Sequence, residues 1–167
     1  ALAETDFFPV EDLRTYCANG SRLSGHVSHK SVPGVEFSSG SLGHGIGVAV
    51  GMAMAAKQDR KSHRVFVIIG DGECDEGSVW EAALFAHHFK LNNLTVIVDH
   101  NRIQGLGTCE ATIDLLDLAA KWKAFGWNVV EVDGHDCAVL ARLLKASDPE
   151  KPTCLIAHTV KGKGISF

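Results

Sequence analysis

The 167 residues suit a single domain, expected to span 1–167, and 46% apolar with 22% charged residues is a globular rather than a disordered balance. A net charge of -4 without any run of Lys or Arg argues against nucleic-acid partners and membrane surfaces, and the longest apolar stretches fall far short of a membrane span. No signal-peptide pattern opens the chain, and five widely spaced cysteines without a C-x-x-C pair argue against a zinc knuckle or a disulfide framework, so a reducing, cytoplasmic setting is expected.

In chain order, residues 1–4 read as the tail of a helix without a start, and residues 162–167 as a glycine-rich loop leading nowhere. The chain is therefore expected to be truncated at both ends. Residues 9–17 carry a short helical pattern entered at Pro9, and 18–40, rich in Gly, Ser and His, should be loop. Small and apolar residues over 42–57 predict a buried helix, with Gly47 and Gly51 permitting close packing. The β-branched run 65–69 reads as a strand covered on both faces. Residues 77–90 follow as a helix with Trp80, Leu84 and Phe85 at core spacing, and 94–98 as a second buried strand. A helix over 115–125, a strand over 127–132, a helix over 137–145 and a strand over 153–157 complete the pattern. This alternation predicts an α/β fold: a parallel sheet with helices on both faces.

Ligands of such sheets bind beyond the carboxyl ends of the strands, so the loops after strands carry most weight. Gly70-Asp71-Gly72-Glu73 ends the first strand. Its glycines allow a ligand to approach the backbone, and the helix that follows offers free N–H groups to a phosphate. Asp99-His100-Asn101-Arg102-Ile103-Gln104 ends the next strand. Asp71 and Asn101 both supply hard oxygens. Together with one backbone carbonyl, a water and two phosphate oxygens they would complete the octahedral shell that magnesium prefers. A lone Gly-Asp-Gly is a common turn, and Asn after a strand is usually a turn residue too. The pair is specific because the two loops end consecutive strands, with thirty residues and one helix between the ligands.

Gly-Asp-Gly followed at that distance by Asn is the signature of thiamine-diphosphate enzymes. The wording from Gly70 through Ala83, the run from Gly25-His26 through Pro33-Gly34-Val35-Glu36 to Ser39-Gly40-Ser41-Leu42-Gly43, and the closing Thr159-Val160-Lys161-Gly162-Lys163-Gly164 resemble transketolase. Ser41 and His44 depart from the Pro and Gln common in that family. They are closer to the split, two-subunit transketolases, whose amino-terminal half is a separate short chain.

The resemblance implies a thiamine-diphosphate-binding fold and a Mg2+ (or Ca2+) ion held by Asp71, Asn101 and the carbonyl of Ile103. It implies that Gly70, Asp71, Gly72 and Glu73 lie at the diphosphate, the last two through backbone N–H groups, and that Gly40, Ser41 and Leu42 meet the aminopyrimidine ring. His26 matches a histidine that contacts the sugar, and Glu76 and Glu81 match acids that link paired active sites. The implied activity is transfer of a two-carbon ketol unit from a ketose phosphate to an aldose phosphate. The Glu that protonates the pyrimidine ring belongs, in the family, to another domain. A carboxy-terminal transketolase partner chain is therefore expected, with a homodimer of this chain inside a larger hetero-oligomer. The other readings are a deoxyxylulose-phosphate synthase-like chain, a 2-oxo acid dehydrogenase alpha-like chain, or a non-catalytic cofactor-binding scaffold. His29, His100 and His158 have no secure role by resemblance. His135 is expected to order a loop, and Lys161 and Lys163 either approach phosphate or only solvate their loop.

Overall fold

The computed structural model describes residues 1–165, so Ser166 and Phe167 of the closing loop lie outside the described residues. Contacts divide the chain into two compact units, residues 1–41 and 42–167. The first has little regular structure: 3-10 helices at Ala3–Thr5 and Val10–Thr15, then turns through residue 41. Its core is small, with Ala3, Phe8, Leu23 and Val32 buried and Leu2 and Val35 packed against them. The expected short helix after Pro9 is present as the second 3-10 helix, and the Gly-, Ser- and His-rich stretch is loop throughout.

The second unit is a parallel sheet with flanking helices. Its strands are β1 (Val65–Gly70), β2 (Leu94–His100), β5 (Asn128–Asp133) and β6 (Thr153–His158), in the order β1-β2-β6-β5. A two-stranded antiparallel hairpin, β3 (Ile103–Gln104) with β4 (Gly107–Thr108), stands apart from it. The helices are α1 (His44–Gln58), α2 (Gly77–His88), α3 (Cys109–Thr112), α4 (Leu118–Ala124) and α5 (Cys137–Lys145).

The order of strands explains which face each helix covers. From β1 to β2, and again from β2 to β5, the chain moves in one direction across the sheet. Right-handed crossovers put α2 and α4 on the same face. From β5 the chain steps back to β6, so the same handedness sends α5 to the opposite face. The core agrees. Val79 and Ala83 of α2, Trp122 of α4 and Ile46 and Ala53 of α1 close on Val96, Val98, Cys154 and Ile156. Trp80 stacks on Trp122 and Phe125, with ring centroids 5.3 and 5.2 Å away, and Trp122 meets Trp127 edge-on at 4.8 Å.

Three expectations need correction. Strand β1 is covered on one face only: Phe66 is 46% and Ile68 73% exposed, because β1 is an edge strand and its neighbours are covered on the second face by α5 alone. Arg64 lies over the Phe66 ring, 4.9 Å from its centroid, and donates to the carbonyls of Leu144 and Ala146 at 2.6 Å each. On α2 the buried stripe is Val79, Ala82, Ala83 and Ala86; Leu84 and Phe85 point outward, and of the three expected core residues only Trp80 packs against the core. The helix expected over 115–125 starts at Leu118, where the Asp117 side chain accepts from Ala120 N–H and caps it.

Candidate cofactor site

Parallel pairing in register places Gly70 of β1 beside Asp99 of β2, so the Gly-Asp-Gly loop and the Asn101 loop leave the same edge of the sheet. Asp71 follows β1 directly and caps the 3-10 turn Gly72–Asp75. One carboxylate oxygen accepts from Gly72 N–H at 2.8 Å. The other reaches the neighbouring loop and accepts from Arg102 N–H at 2.5 Å. The backbone joins the loops a third time, Asp71 N–H donating to Asp99 O at 3.2 Å.

Asp71 is only 1% exposed, and among the described residues it forms no ion pair. A buried carboxylate held by two backbone donors keeps free lone pairs and an uncompensated charge, which is the environment a hard cation neutralises. Among the described residues no three His, Cys, Asp or Glu side chains gather as a metal cage. A cation here would therefore draw on one carboxylate, one amide oxygen and one carbonyl, leaving room for phosphate oxygens and water.

Asn101 is held in one orientation. Its Oδ1 accepts from Ile103 N–H at 2.9 Å, and its Nδ2 donates to Asp99 at 3.0 Å. The Thr159 hydroxyl, just past β6, donates to the other Asp99 oxygen. Arg102 adopts a left-handed backbone (φ 62°), which turns the chain so that its N–H meets Asp71 while Ile103 enters the hairpin. The predicted ligands Asp71, Asn101 and Ile103 thus sit on two loops tied to each other by hydrogen bonds.

Glu73, expected at the diphosphate through its backbone, uses its side chain differently. The carboxylate accepts from Gly43 N–H at 2.8 Å and from Gly70 N–H at 3.2 Å, joining the start of α1 to the end of β1. The Ser78 hydroxyl donates to Gly43 O at 2.9 Å. Gly43 has φ 78°, and a Cβ there would lie 2.4 Å from Ser78 Oγ and 2.7 Å from Glu76 Cβ. Leu42, beside it, is exposed, and its carbonyl accepts from His44 Nδ1 at 3.0 Å. These clamps were not legible in the sequence; Glu73 and Ser78 look like ordinary residues of a turn and a helix.

In the first unit His26 and Gly40 are neighbours, since a Cβ on Gly40 would lie 2.9 Å from the His26 ring. His26 and Ser41 are exposed. Glu76 and Glu81 are exposed as well; Glu81 lines a groove between α1 and α2 with Gly47, Gly51 and Phe85. His135 orders its loop, its Nε2 accepting from Val160 N–H at 2.9 Å. His100 and His158 stack at 5.0 Å, and His158 pairs with Glu131 at 3.0 Å. Burial holds the His100 imidazole below its ordinary pKa, with His158 and Arg102 acting the same way against Asp71 and Glu131. Burial likewise pushes the Cys74 thiol up to about 12 and that of Cys109 up to about 11, helped by the surrounding carboxylates. His29 bonds Ser38 at 2.7 Å within its own loop, and Lys161 and Lys163 lie on the closing turn.

Comparison with known proteins agrees with this geometry. The family described as "Transketolase, thiamine diphosphate binding domain" matches residues 5–166. An apulose-4-phosphate transketolase chain of Phocaeicola vulgatus, named as one of two subunits, is 47% identical over 99% of this chain and 59% of its own length. A 6-deoxy-6-sulfo-D-fructose transketolase chain of a Clostridium species, likewise named as a subunit, is 40% identical over 100% of the chain and 62% of its own. Among solved structures, a transketolase of Pichia stipitis in complex with xylulose 5-phosphate superposes with a TM-score of 0.82 at 34% identity, over 92% of this chain and 25% of that one. The transketolase of Campylobacter jejuni gives 0.82 at 30% identity, over 93% and 26%. The chain is a thiamine-diphosphate-binding α/β protein, and it belongs to the transketolase family. It spans about three-fifths of the length of the split-enzyme relatives it matches. Among the described residues no helix is long and apolar enough to cross a membrane.

Proposed function

We propose that this chain is the cofactor-binding half of a split, cytoplasmic transketolase that moves a two-carbon ketol unit from a ketose phosphate to an aldose phosphate. The carrying observation is the buried, unpaired Asp71 carboxylate, which ties together two loops at the carboxyl ends of adjacent parallel strands. In this reading Asp71, the Asn101 amide oxygen and the Ile103 carbonyl hold Mg2+ or Ca2+, and the metal shares its remaining positions with a diphosphate. Bound there, thiamine diphosphate supplies the thiazolium carbon that carries the two-carbon unit.

The residues of the chain bind and orient. Gly70 and Gly72 let backbone N–H groups approach the diphosphate, and the Glu73 clamp on Gly43 and Gly70 fixes the turn from which Leu42 would meet the aminopyrimidine ring. Gly40 and Ser41, just before Leu42 in the chain, are assigned to the same ring, and His26, packed on Gly40, to the sugar. Glu76 and Glu81 face a second copy of the chain, and Glu81 stands on the α1–α2 groove that the second copy covers. Relatives whose names mark them as one chain of a split transketolase support a partner chain, which would supply the Glu for the pyrimidine ring. Their named substrates, apulose 4-phosphate and 6-deoxy-6-sulfo-D-fructose, support sugars with an anionic end as the substrate class.

Calorimetric titration of thiamine diphosphate with Mg2+ tests the site. Binding should require the metal and disappear in Asp71→Ala; metal-independent binding, or binding that survives in that variant, overturns the assignment. Ketol transfer by the chain alone, without a partner, would overturn the split-enzyme reading.

A further inference from the structure

The hairpin β3–β4 has strands of only two residues, and its tip residue Leu106 is 89% exposed. A hairpin of that size does not hold its own shape in water. Most of its bonds are internal to residues 101–111: Ile103 N–H to Asn101, Cys109 N–H to Arg102 O at 3.0 Å, and Ala111 N–H to Thr108. Two ties connect it to the Gly-Asp-Gly turn. One is the Arg102 N–H bond to Asp71, which uses the carboxylate proposed to ligate metal. The other is Gln104, whose Nε2 donates to Asp75 at 3.2 Å.

We propose that Gln104 is a positioning residue for the cofactor site: its side chain fastens the hairpin, and with it the Ile103 carbonyl, to the Gly-Asp-Gly turn. This rests on the metal assignment made above for Asp71, Asn101 and Ile103. The packing is close, because a Cβ on Gly72 would lie 2.7 Å from Gln104 Cβ. The glycine at 72 therefore gives the Gln104 stem its seat as well as opening backbone to a ligand. Asp75 has little else to bond. Its second oxygen, Oδ1, is buried without a hydrogen-bond partner, so Gln104 is the single side-chain donor to that carboxylate among the described residues. The peptide joining Ile103 to Gln104 is thus fixed from both ends: by Asn101 at the Ile103 N–H and by Asp75 through the Gln104 amide. Because the Gln104 tie does not use Asp71, it persists when a cation competes for that carboxylate.

The test compares Gln104→Ala, Asp75→Ala, the double variant and Asp75→Asn, which keeps an acceptor oxygen. Hydrogen exchange of the metal-free protein is read first. Amides of 102–109 should lose protection in Gln104→Ala and Asp75→Ala, while those of β2 and α1 and the melting temperature stay close to the parent. Unchanged protection of the hairpin overturns the tether. Mg2+-dependent binding of thiamine diphosphate is read second. It should weaken by about 10- to 100-fold in either alanine variant, the usual loss when a residue orienting a metal ligand is removed. The double variant should lose no more than the single ones, and Asp75→Asn should recover most of the affinity. Parent-like affinity in Gln104→Ala, or losses that multiply, overturns the positioning role. Failure of the parent protein to bind cofactor would instead strike the metal assignment, and the exchange data would still decide the tether.

Discussion

Gly43→Ala is the substitution whose consequence follows most directly from the geometry. Gly43 precedes α1 with φ 78°, a left-handed conformation that costs an L-residue about 1–2 kcal/mol. The added methyl would lie 2.4 Å from Ser78 Oγ, so that side chain must turn away. Turning away breaks its bond to Gly43 O, worth about 1 kcal/mol. Glu76 Cβ, at 2.7 Å, is fixed to its own backbone and cannot swing aside, and crowding of this kind costs about 1–3 kcal/mol. The sum is roughly 3–6 kcal/mol, which for a chain of this size lowers the melting temperature by roughly 10 °C or more. Gly51, in the middle of α1, is the internal comparison: a Cβ there meets nothing within 4 Å, and alanine should raise stability by about 0.5–1 kcal/mol. Urea and thermal unfolding of both variants measure the contrast. If Gly43→Ala unfolds like the parent, or if the two variants shift in the same direction, the clamp on Gly43 is not holding this turn.

Two further outcomes can be checked on the native protein. Of the five free cysteines only Cys17 and Cys137 are exposed, while burial raises the thiols of Cys74, Cys109 and Cys154. An aromatic disulfide reagent at mildly alkaline pH should titrate two thiols quickly and the other three only after unfolding; a rapid count above two refutes the burial. Asp148 accepts from the N–H groups of Glu150 and Lys151, at 2.9 and 2.8 Å, and these bonds hold its carboxyl below the ordinary aspartate value. Its folded value is the lower one. Its contribution is therefore complete above the ordinary aspartate range and lost as pH falls through the folded value. Asp148→Ala should lower the melting temperature slightly at neutral pH, with the gap to the parent closing in strong acid; a gap that widens in acid contradicts the assignment.

The β-branched runs at Val65 and Leu94, the helical spacing between them and the pair Asp71 and Asn101 were enough to place a parallel sheet and the ends of two strands where a ligand would bind. These features are local: a strand run, a glycine turn and a hard oxygen each show in a few consecutive residues, and the family wording joins them. What lay beyond reach depended on partners distant along the chain. The outward turn of Leu84 and Phe85 follows from α2 lying on α1 and the sheet along its alanine stripe, which composition alone does not distinguish from its larger apolar residues. The open face of Phe66 and Ile68 follows from β1 standing at the edge, a consequence of strand order. The Glu73 clamp spans thirty residues to Gly43, and Gln104 meets Asp75 across twenty-nine. The sequence by itself determined which residue types could hold a metal and a diphosphate. Only the tertiary structure decided what keeps them in place, because a hydrogen bond between loops depends on where the sheet brings those loops together, and that is set by the packing of the whole unit rather than by any neighbouring residue.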